Sequence, residues 1–386
     1  MAVRARLTEG RPLIDLTATN PTTVGIEYPR EILLALGGTG GLVYRPEPFG
    51  LQSARQAVAN DCARRGIRVA ADRVVLTAST SEAYSILFKL LCAPAGDDVL
   101  VPVPSYPLFD HLTRLDGVVS HTYRLEYQGR WELDESSVDG AWTHATRAVL
   151  AVSPNNPTGS ILSDHELGAL ARRCAERNAA LIIDEVFADY VFEGVDAGPA
   201  FAGRASQGKP RPPSPISHPP SLTFRLGGLS KSVGLPQLKL GWIVVDGPDD
   251  LVRGALDRLE LICDTYLSVS TPVQVAAPAL LEEGTVVRER IQRRTRLNME
   301  MLRRMVASNP SVEVLRADGG WSAVLRVPSR EPEEELVLSL LEEHDTLVYP
   351  GFFFDFPHES FLVVSLLPEP AVFADGTGRV LEHVGG

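Results

Sequence analysis

Residues 226–242 read LGGLSKSVGLPQLKLGW and place Lys231 and Lys239 eight residues apart. The 386-residue chain carries 37 basic side chains, of which only four are lysines: Lys89, Lys209, Lys231 and Lys239. A chain that writes nearly all its positive charge as arginine therefore puts two lysines into one short stretch. Arginine keeps its proton inside proteins, whereas a suitably placed lysine can lose it. Only lysine can then serve as an amine nucleophile towards a carbonyl.

Working outward, residues from about 50 to 245 alternate strand-like and helix-like segments. LQSARQAVANDCARRG sets Ala54, Val58 and Cys62 on one helical face and ends at Gly66. DRVVLTA reads as a strand and TSEAYSILFKLLC as the helix after it. DDVLVPVP, RAVLAVS, AALIIDEV and LGWIVV read as further strands. SDHELGALARRCAERN opens on Ser163 with Glu166 three residues later, a capping-box pattern. Strands alternating with helices predict an α/β fold, a mostly parallel sheet flanked by helices, with the functional groups at the carboxyl ends of the strands.

Towards the end the pattern becomes α+β: a long basic helix in TVVRERIQRRTRLNMEMLRRMVASN, strands in VEVLRA and WSAVLRV, an acidic helix around EPEEELVLSLLEEH, and a strand in FLVVSLL. We therefore expect an N-terminal segment 1–43 packing with a small C-terminal domain at 275–386, and a large domain at 44–274. Residues 196–221, rich in Pro, Ser and Gly, read as a surface loop, and GGTGG at 37–41 as a flexible turn. No strand precedes those glycines, which argues against a dinucleotide fingerprint.

The formal charge of −12 argues against a nucleic-acid or anionic-membrane surface. Cys62, Cys92, Cys174 and Cys263 are scattered without a C-x-x-C, as expected for reduced thiols of a cytoplasmic protein. The eight histidines show no metal-ligand spacing, so no metal is expected. No apolar run approaches a membrane span.

Four segments bring chemistry to the expected sheet edge. SPNNPTG follows one strand and presents Asn156; DEVF ends another and presents Asp184. TASTSEA opens a helix whose N–H groups at Thr80 and Ser81 suit a phosphate. SYP presents the Tyr106 ring. A carbonyl-reactive amine, a carboxylate, a phosphate cradle and a stacking ring together describe a site for pyridoxal 5'-phosphate.

These motifs, in this order from about Tyr44 to Gly241, resemble the fold-type I pyridoxal-phosphate enzymes of the class I/II aminotransferase family, the aspartate aminotransferase-like superfamily, with weaker matches at GGW and FLVVSLL. The resemblance implies that Lys231 forms the internal aldimine and moves the proton between Cα and C4′ in a ping-pong cycle through pyridoxamine phosphate. It implies that Asp184 pairs with the pyridine nitrogen, Asn156 donates to the ring 3-oxygen, and Tyr106 stacks on the ring. Thr80, Ser81, Ser230 and Lys239 would serve the phosphate, with Lys239 where the family has an arginine. Tyr44 resembles a tyrosine that reaches a phosphate across a homodimer interface. Trp321 and Asn156 are the expected substrate contacts, and the substrates an amino acid or amine and a 2-oxo acid.

Three positions depart from the pattern. Phe187 replaces a tyrosine that donates to the ring oxygen, Gly228 replaces a phosphate-binding serine, and Val363 stands where the family has the arginine that clamps the substrate carboxylate. Arg45, Arg225 and Arg316 are the candidates for that missing anchor. Phe187 and Val363 also keep open a lyase, decarboxylase or synthase on the same fold. A non-catalytic regulatory module is disfavoured by the retained lysine.

Overall fold

The computed structural model describes residues 6, 8, 10–192, 219–358 and 360–385. Most of the expected loop at 196–221 lies outside the described residues; only 219–221 fall within them.

Fourteen strands are described: β1 Ile14–Asp15, β2 Val74–Thr77, β3 Asp98–Val103, β4 Val119–Tyr127, β5 Trp131–Leu133, β6 Thr146–Val152, β7 Ala180–Asp184, β8 Thr223–Gly228, β9 Gly241–Asp246, β10 Glu313–Val314, β11 Ser322–Arg326, β12 Thr346–Leu347, β13 Tyr349–Pro350 and β14 Phe361–Ser365. Eight form one sheet in the order β2-β9-β8-β7-β6-β3-β4-β5. The contiguous strands β4, β3, β6, β7 and β8 are mutually parallel, while β9 runs antiparallel to both β8 and β2.

Alternation along the central strands builds a core on each face. Ala148, Leu150, Ala180 and Ile182 point to one side, where the helices Thr80–Leu91 and Asp249–Tyr266 cover them with Leu87, Phe88, Ala255 and Leu259. Val149, Ala151, Leu181 and Ile183 point to the other, against Leu170, Ala171 and Cys174 of the helix Asp164–Glu176. Burial on both faces is why these strands read as unbroken apolar runs. The capping box is formed: the Ser163 hydroxyl accepts from the Glu166 N–H at 3.3 Å, and Glu166 Oε2 accepts from the Ser163 N–H at 2.8 Å.

A second, antiparallel sheet has the order β10-β11-β14-β13. Its core includes Leu325, Leu362 and Val364, packed with Met299, Leu302, Leu340, Phe373 and Val380 from three helices. Near the N-terminus, β1 pairs in parallel with β12. The helix Thr271–Glu283 runs unbroken through residues 274 and 275, where the sequence suggested a division.

The glycines at 37–41 are not a loose turn. Gly37 ends the 3-10 segment Arg30–Gly37, Gly40 and Gly41 lie in the segment Thr39–Leu42, and Gly38 joins the two. A Cβ on Gly41 would lie 3.3 Å from Pro272, and one on Gly40 3.3 Å from Val275. Close packing on the helix Thr271–Glu283 accounts for Gly40 and Gly41, whereas a Cβ on Gly37 would meet no neighbour within 4 Å among the described residues. No described helix is long and apolar enough to cross a membrane.

Candidate active site

Sheet register assembles the site. Gly228, the last residue of β8, pairs with Gly241, which also pairs with Thr77 at the end of β2. The short helix Leu229–Ser232, carrying Ser230 and Lys231, thus starts beside the strand end that leads into the helix Thr80–Leu91. One strand over, Asp184 pairs with Leu226 of β8 and with Val152 of β6, whose following turn carries Asn156. Ser105 and Tyr106 follow β3.

The Lys231 Nζ lies 4.9 Å from the centroid of the Trp321 ring and 5.8 Å from that of Phe187. Burial lowers its pKa, and the charge of Asp184 partly offsets that shift. Its loop is held from three directions. Tyr190 donates its hydroxyl to the Lys231 carbonyl, Arg288 Nε donates to the Ser232 carbonyl at 2.7 Å, and Tyr28 donates to the Gly234 carbonyl at 2.6 Å.

Asp184 is buried, and burial pushes its pKa up to about 6. Two donors oppose that push: the Val186 N–H to Oδ1 at 3.0 Å and the Tyr84 hydroxyl to Oδ2 at 3.0 Å. Adjacent Glu185 points its charge elsewhere, to Arg65 at 3.5 Å and to Arg225. That places Glu185 in an ion-pair network.

Asn156 Oδ1 accepts from the Ser322 hydroxyl at 3.2 Å, which fixes the amide so that its NH2 remains available as a donor. Asn155 is spent internally: its Oδ1 accepts from the Thr158 hydroxyl at 3.0 Å. The Tyr106 ring is 46% exposed and lies 6.5 Å from Phe354. Trp321 is buried edge-to-face against Phe187 and Tyr190, and its indole N–H has no hydrogen-bond partner among the described residues. Phe187 is buried in the same aromatic group and brings no hydroxyl to it.

Thr80 and Ser81 occupy the first turn of their helix, capped by the Ser79 hydroxyl, which accepts from the Glu82 N–H at 3.1 Å. First-turn N–H groups have no acceptor within a helix. A Cβ on Gly241 would stand 3.2 Å from the Thr80 nitrogen, so glycine keeps that approach clear. At Gly228 a Cβ would come within 3.1 Å of the Leu240 carbonyl oxygen, so a side chain there would crowd the neighbouring strand. Lys239 is exposed, in the left-handed region at φ 52°, and its ammonium has no partner among the described residues.

Tyr44 is 73% exposed, far from enclosed by its own chain. Val363 is 1% exposed, paired with Val324 and Tyr349 on β14 and packed among Phe354, Phe356 and Phe361. It faces a core, not a ligand. Of the three candidate anchors, Arg225 is paired with Glu185 and Arg316 with Asp318 at 2.9 Å. Arg45 alone is exposed without a counter-ion among the described residues.

Sequence reasoning missed Tyr84, Tyr190, Arg288 and Tyr28. Each acts on a group a hundred or more positions away, or through a backbone carbonyl, and leaves no local pattern. The residues that are present fit pyridoxal phosphate. An enclosed amine faces a buried carboxylate with lone pairs to spare, beside an open helix N-terminus, an oriented amide donor and an unpaired indole N–H.

Residues 18–370 match the model of the family described as aminotransferase class I and II. The glutamate-pyruvate aminotransferase AlaA of Escherichia coli K12 is 24% identical over 368 residues, covering 93% of this chain and 87% of that protein. An alanine aminotransferase of Mycobacterium tuberculosis H37Rv is 26% identical, covering 93% and 82%. Among solved structures, an alanine aminotransferase from Pyrococcus furiosus superposes with a TM-score of 0.84 at 21% identity, covering 99% of this chain and 95% of that one. An aminotransferase from Escherichia coli gives 0.83 at 22% identity, covering 100% and 93%. The chain belongs to the aminotransferase class I and II family, and is a pyridoxal-phosphate-dependent transaminase of the aspartate aminotransferase-like fold.

Proposed function

We propose that this transaminase uses Lys231 as its amine and proton carrier, and holds the cofactor with Asp184, Asn156, Tyr106, Thr80, Ser81 and Ser230. The observation that carries the reading is the pairing of an amine whose pKa burial lowers with a buried carboxylate, at the ends of adjacent parallel strands. When bound, pyridoxal phosphate supplies an aldehyde that takes up an amino group and a pyridinium ring that draws electrons from the substrate Cα.

The rest is work for the chain. Lys231 Nζ, favoured in its neutral form by burial, accepts the Cα proton and returns it. Asp184 keeps a negative charge against the ring nitrogen, which keeps that nitrogen protonated. Asn156, oriented by Ser322, donates its amide N–H to the ring oxygen. Tyr106 covers one ring face. The N–H groups of Thr80 and Ser81, with the Ser230 hydroxyl, meet the phosphate; Lys239 adds charge nearby without the fork of an arginine.

The substrates are an α-amino acid and a 2-oxo acid, in line with the relatives named for alanine, glutamate and pyruvate. With Val363 in the core, Arg45 is the cation left for the substrate carboxylate, and Trp321 walls the pocket beside Lys231. Tyr44 with the exposed Leu34, Leu42 and Val43, and with Tyr266, presents an apolar surface suited to a second copy of the chain. A homodimer with Tyr44 reaching the neighbouring phosphate follows. Four buried, unpaired thiols suit the reducing cytoplasm. A large cofactor-binding unit with a smaller C-terminal one belongs to the same reading.

The test is a half-reaction. Holoenzyme mixed with single amino acids, without an acceptor, should convert its cofactor stoichiometrically to the pyridoxamine form. Multiple turnover with the cofactor spectrum unchanged would replace transamination by the lyase reading.

A further inference from the structure

We propose that Tyr84 is a positioning residue that fixes the Asp184 carboxylate for the cofactor's ring nitrogen; the inference rests on the role given to Asp184 above. Tyr84 sits one turn inside the helix Thr80–Leu91 and is fully buried. Its ring is held edge-to-face against Phe109 at 5.3 Å and 78°, and tilted against Phe88 at 6.2 Å. From there its hydroxyl donates to Asp184 Oδ2 at 3.0 Å while the Val186 N–H donates to Oδ1 at 3.0 Å.

One donor on each oxygen sets the plane of the carboxylate and leaves each oxygen further lone pairs for a third donor. The two donors come from different elements, so the carboxylate cannot rotate without breaking one of them. The same helix offers the Thr80 and Ser81 N–H groups at its start. One rigid element therefore sets both the phosphate end of the site and the orientation of the group at the opposite end. A carboxylate buried this deeply otherwise drifts towards its neutral form, which could no longer hold a proton on the ring nitrogen.

The charges facing Asp184 are few. Glu185 disfavours its ionised form and Lys231 favours it, while Arg65 and Arg225 are turned to Glu185. The Tyr84 hydroxyl is therefore one of only two hydrogen bonds supporting the carboxylate among the described residues.

The experiment compares Tyr84→Phe, Tyr123→Phe and Asp184→Asn as holoenzymes. Phenylalanine keeps both ring contacts, and the melting temperature of the cofactor-free protein checks the fold. Tyr123 is the control: its buried hydroxyl donates to the Leu150 carbonyl at 2.7 Å and does not touch Asp184. For Tyr84→Phe we expect kcat lower by about tenfold, KM for the donor unchanged within about twofold, and cofactor affinity weakened about tenfold, the scale of one hydrogen bond to a charged group. The acid limb of kcat against pH should move upward by about one unit, because Asp184 loses support for its charged form. Tyr123→Phe should leave that limb in place. If Asp184→Asn disables the enzyme while Tyr84→Phe behaves as Tyr123→Phe does, the positioning role is wrong and the role of Asp184 stands. If Asp184→Asn leaves cofactor affinity and kcat intact, the reading of Asp184 itself falls.

Discussion

Asp184→Asn should stabilise the cofactor-free protein while crippling the enzyme. In the folded chain the Asp184 carboxyl titrates at about 6, against 3.8 for the free side chain. An acid whose folded pKa is raised binds its proton more tightly in the folded state. Its neutral form costs folding nothing extra below the unfolded pKa, and its ionised form becomes a growing burden as pH rises through the folded value. The window is therefore pH 4 to 6. At about 1.4 kcal/mol per unit, a shift of about two units amounts to roughly 3 kcal/mol lost by pH 7. Asparagine has the same shape and no charge, so it should escape that loss. The assay is urea unfolding of cofactor-free wild type and variant at pH 4.5 and pH 7.5, with their difference read at each pH. We expect the variant's relative stability to grow by about 2–3 kcal/mol between the two. An equal difference at both pH values would mean that the carboxylate is not strained by its burial, and the reasoning would fail. Bound cofactor should reverse the preference, since only the carboxylate can hold a protonated ring nitrogen.

Other perturbations address other parts of the account. Val363→Arg, meant to restore the family's clamp, should instead destabilise the fold by about 4 kcal/mol or more, because the guanidinium would enter the aromatic core of Phe354, Phe356 and Phe361; thermal melting decides it. Arg45→Ala should raise KM for the amino acid by about 10- to 100-fold, the scale of a lost charge-assisted contact, with the fold intact; an unchanged KM would remove Arg45 as the anchor. Ser163→Ala should cost about 1 kcal/mol as a lost cap. Glu166→Ala should cost about 1–2 kcal/mol more in denaturant unfolding, because Glu166 Oε1 also accepts from the buried Leu133 N–H at 2.9 Å.

The residues that were legible in the sequence share a cause. Asp184 and Asn156 each follow an apolar run buried on both faces, so the strand ends, and with them the site edge, could be read directly. Lys231 stood out because the chain otherwise avoids lysine. The strand β8 was harder to see because Arg225, Gly227 and Gly228 interrupt its apolar pattern. Those glycines answer to neighbours distant in sequence: a Cβ on Gly227 would strike the Trp242 indole at 2.5 Å. The edge hairpin β4–β5 was also missed, since β4 exposes one face and carries His121, Arg124 and Glu126 within it. The glycines at 37–41 looked locally like slack, yet a Cβ on Gly40 or Gly41 would lie 3.3 Å from Val275 or Pro272 respectively. Tyr84, Tyr190 and Arg288 reach the site only through tertiary packing. Local propensity has no access to such pairings.

The central claim is that Lys231 is the residue that joins the cofactor. Borohydride reduction of the holoenzyme, followed by proteolysis and mass spectrometry of the peptides, tests it directly. We predict one modified lysine per chain, at Lys231, with Lys239 in the same stretch unmodified and the adduct absent from Lys231→Ala. A stable adduct at Lys239 or Lys89, or one that survives in Lys231→Ala, would contradict the account.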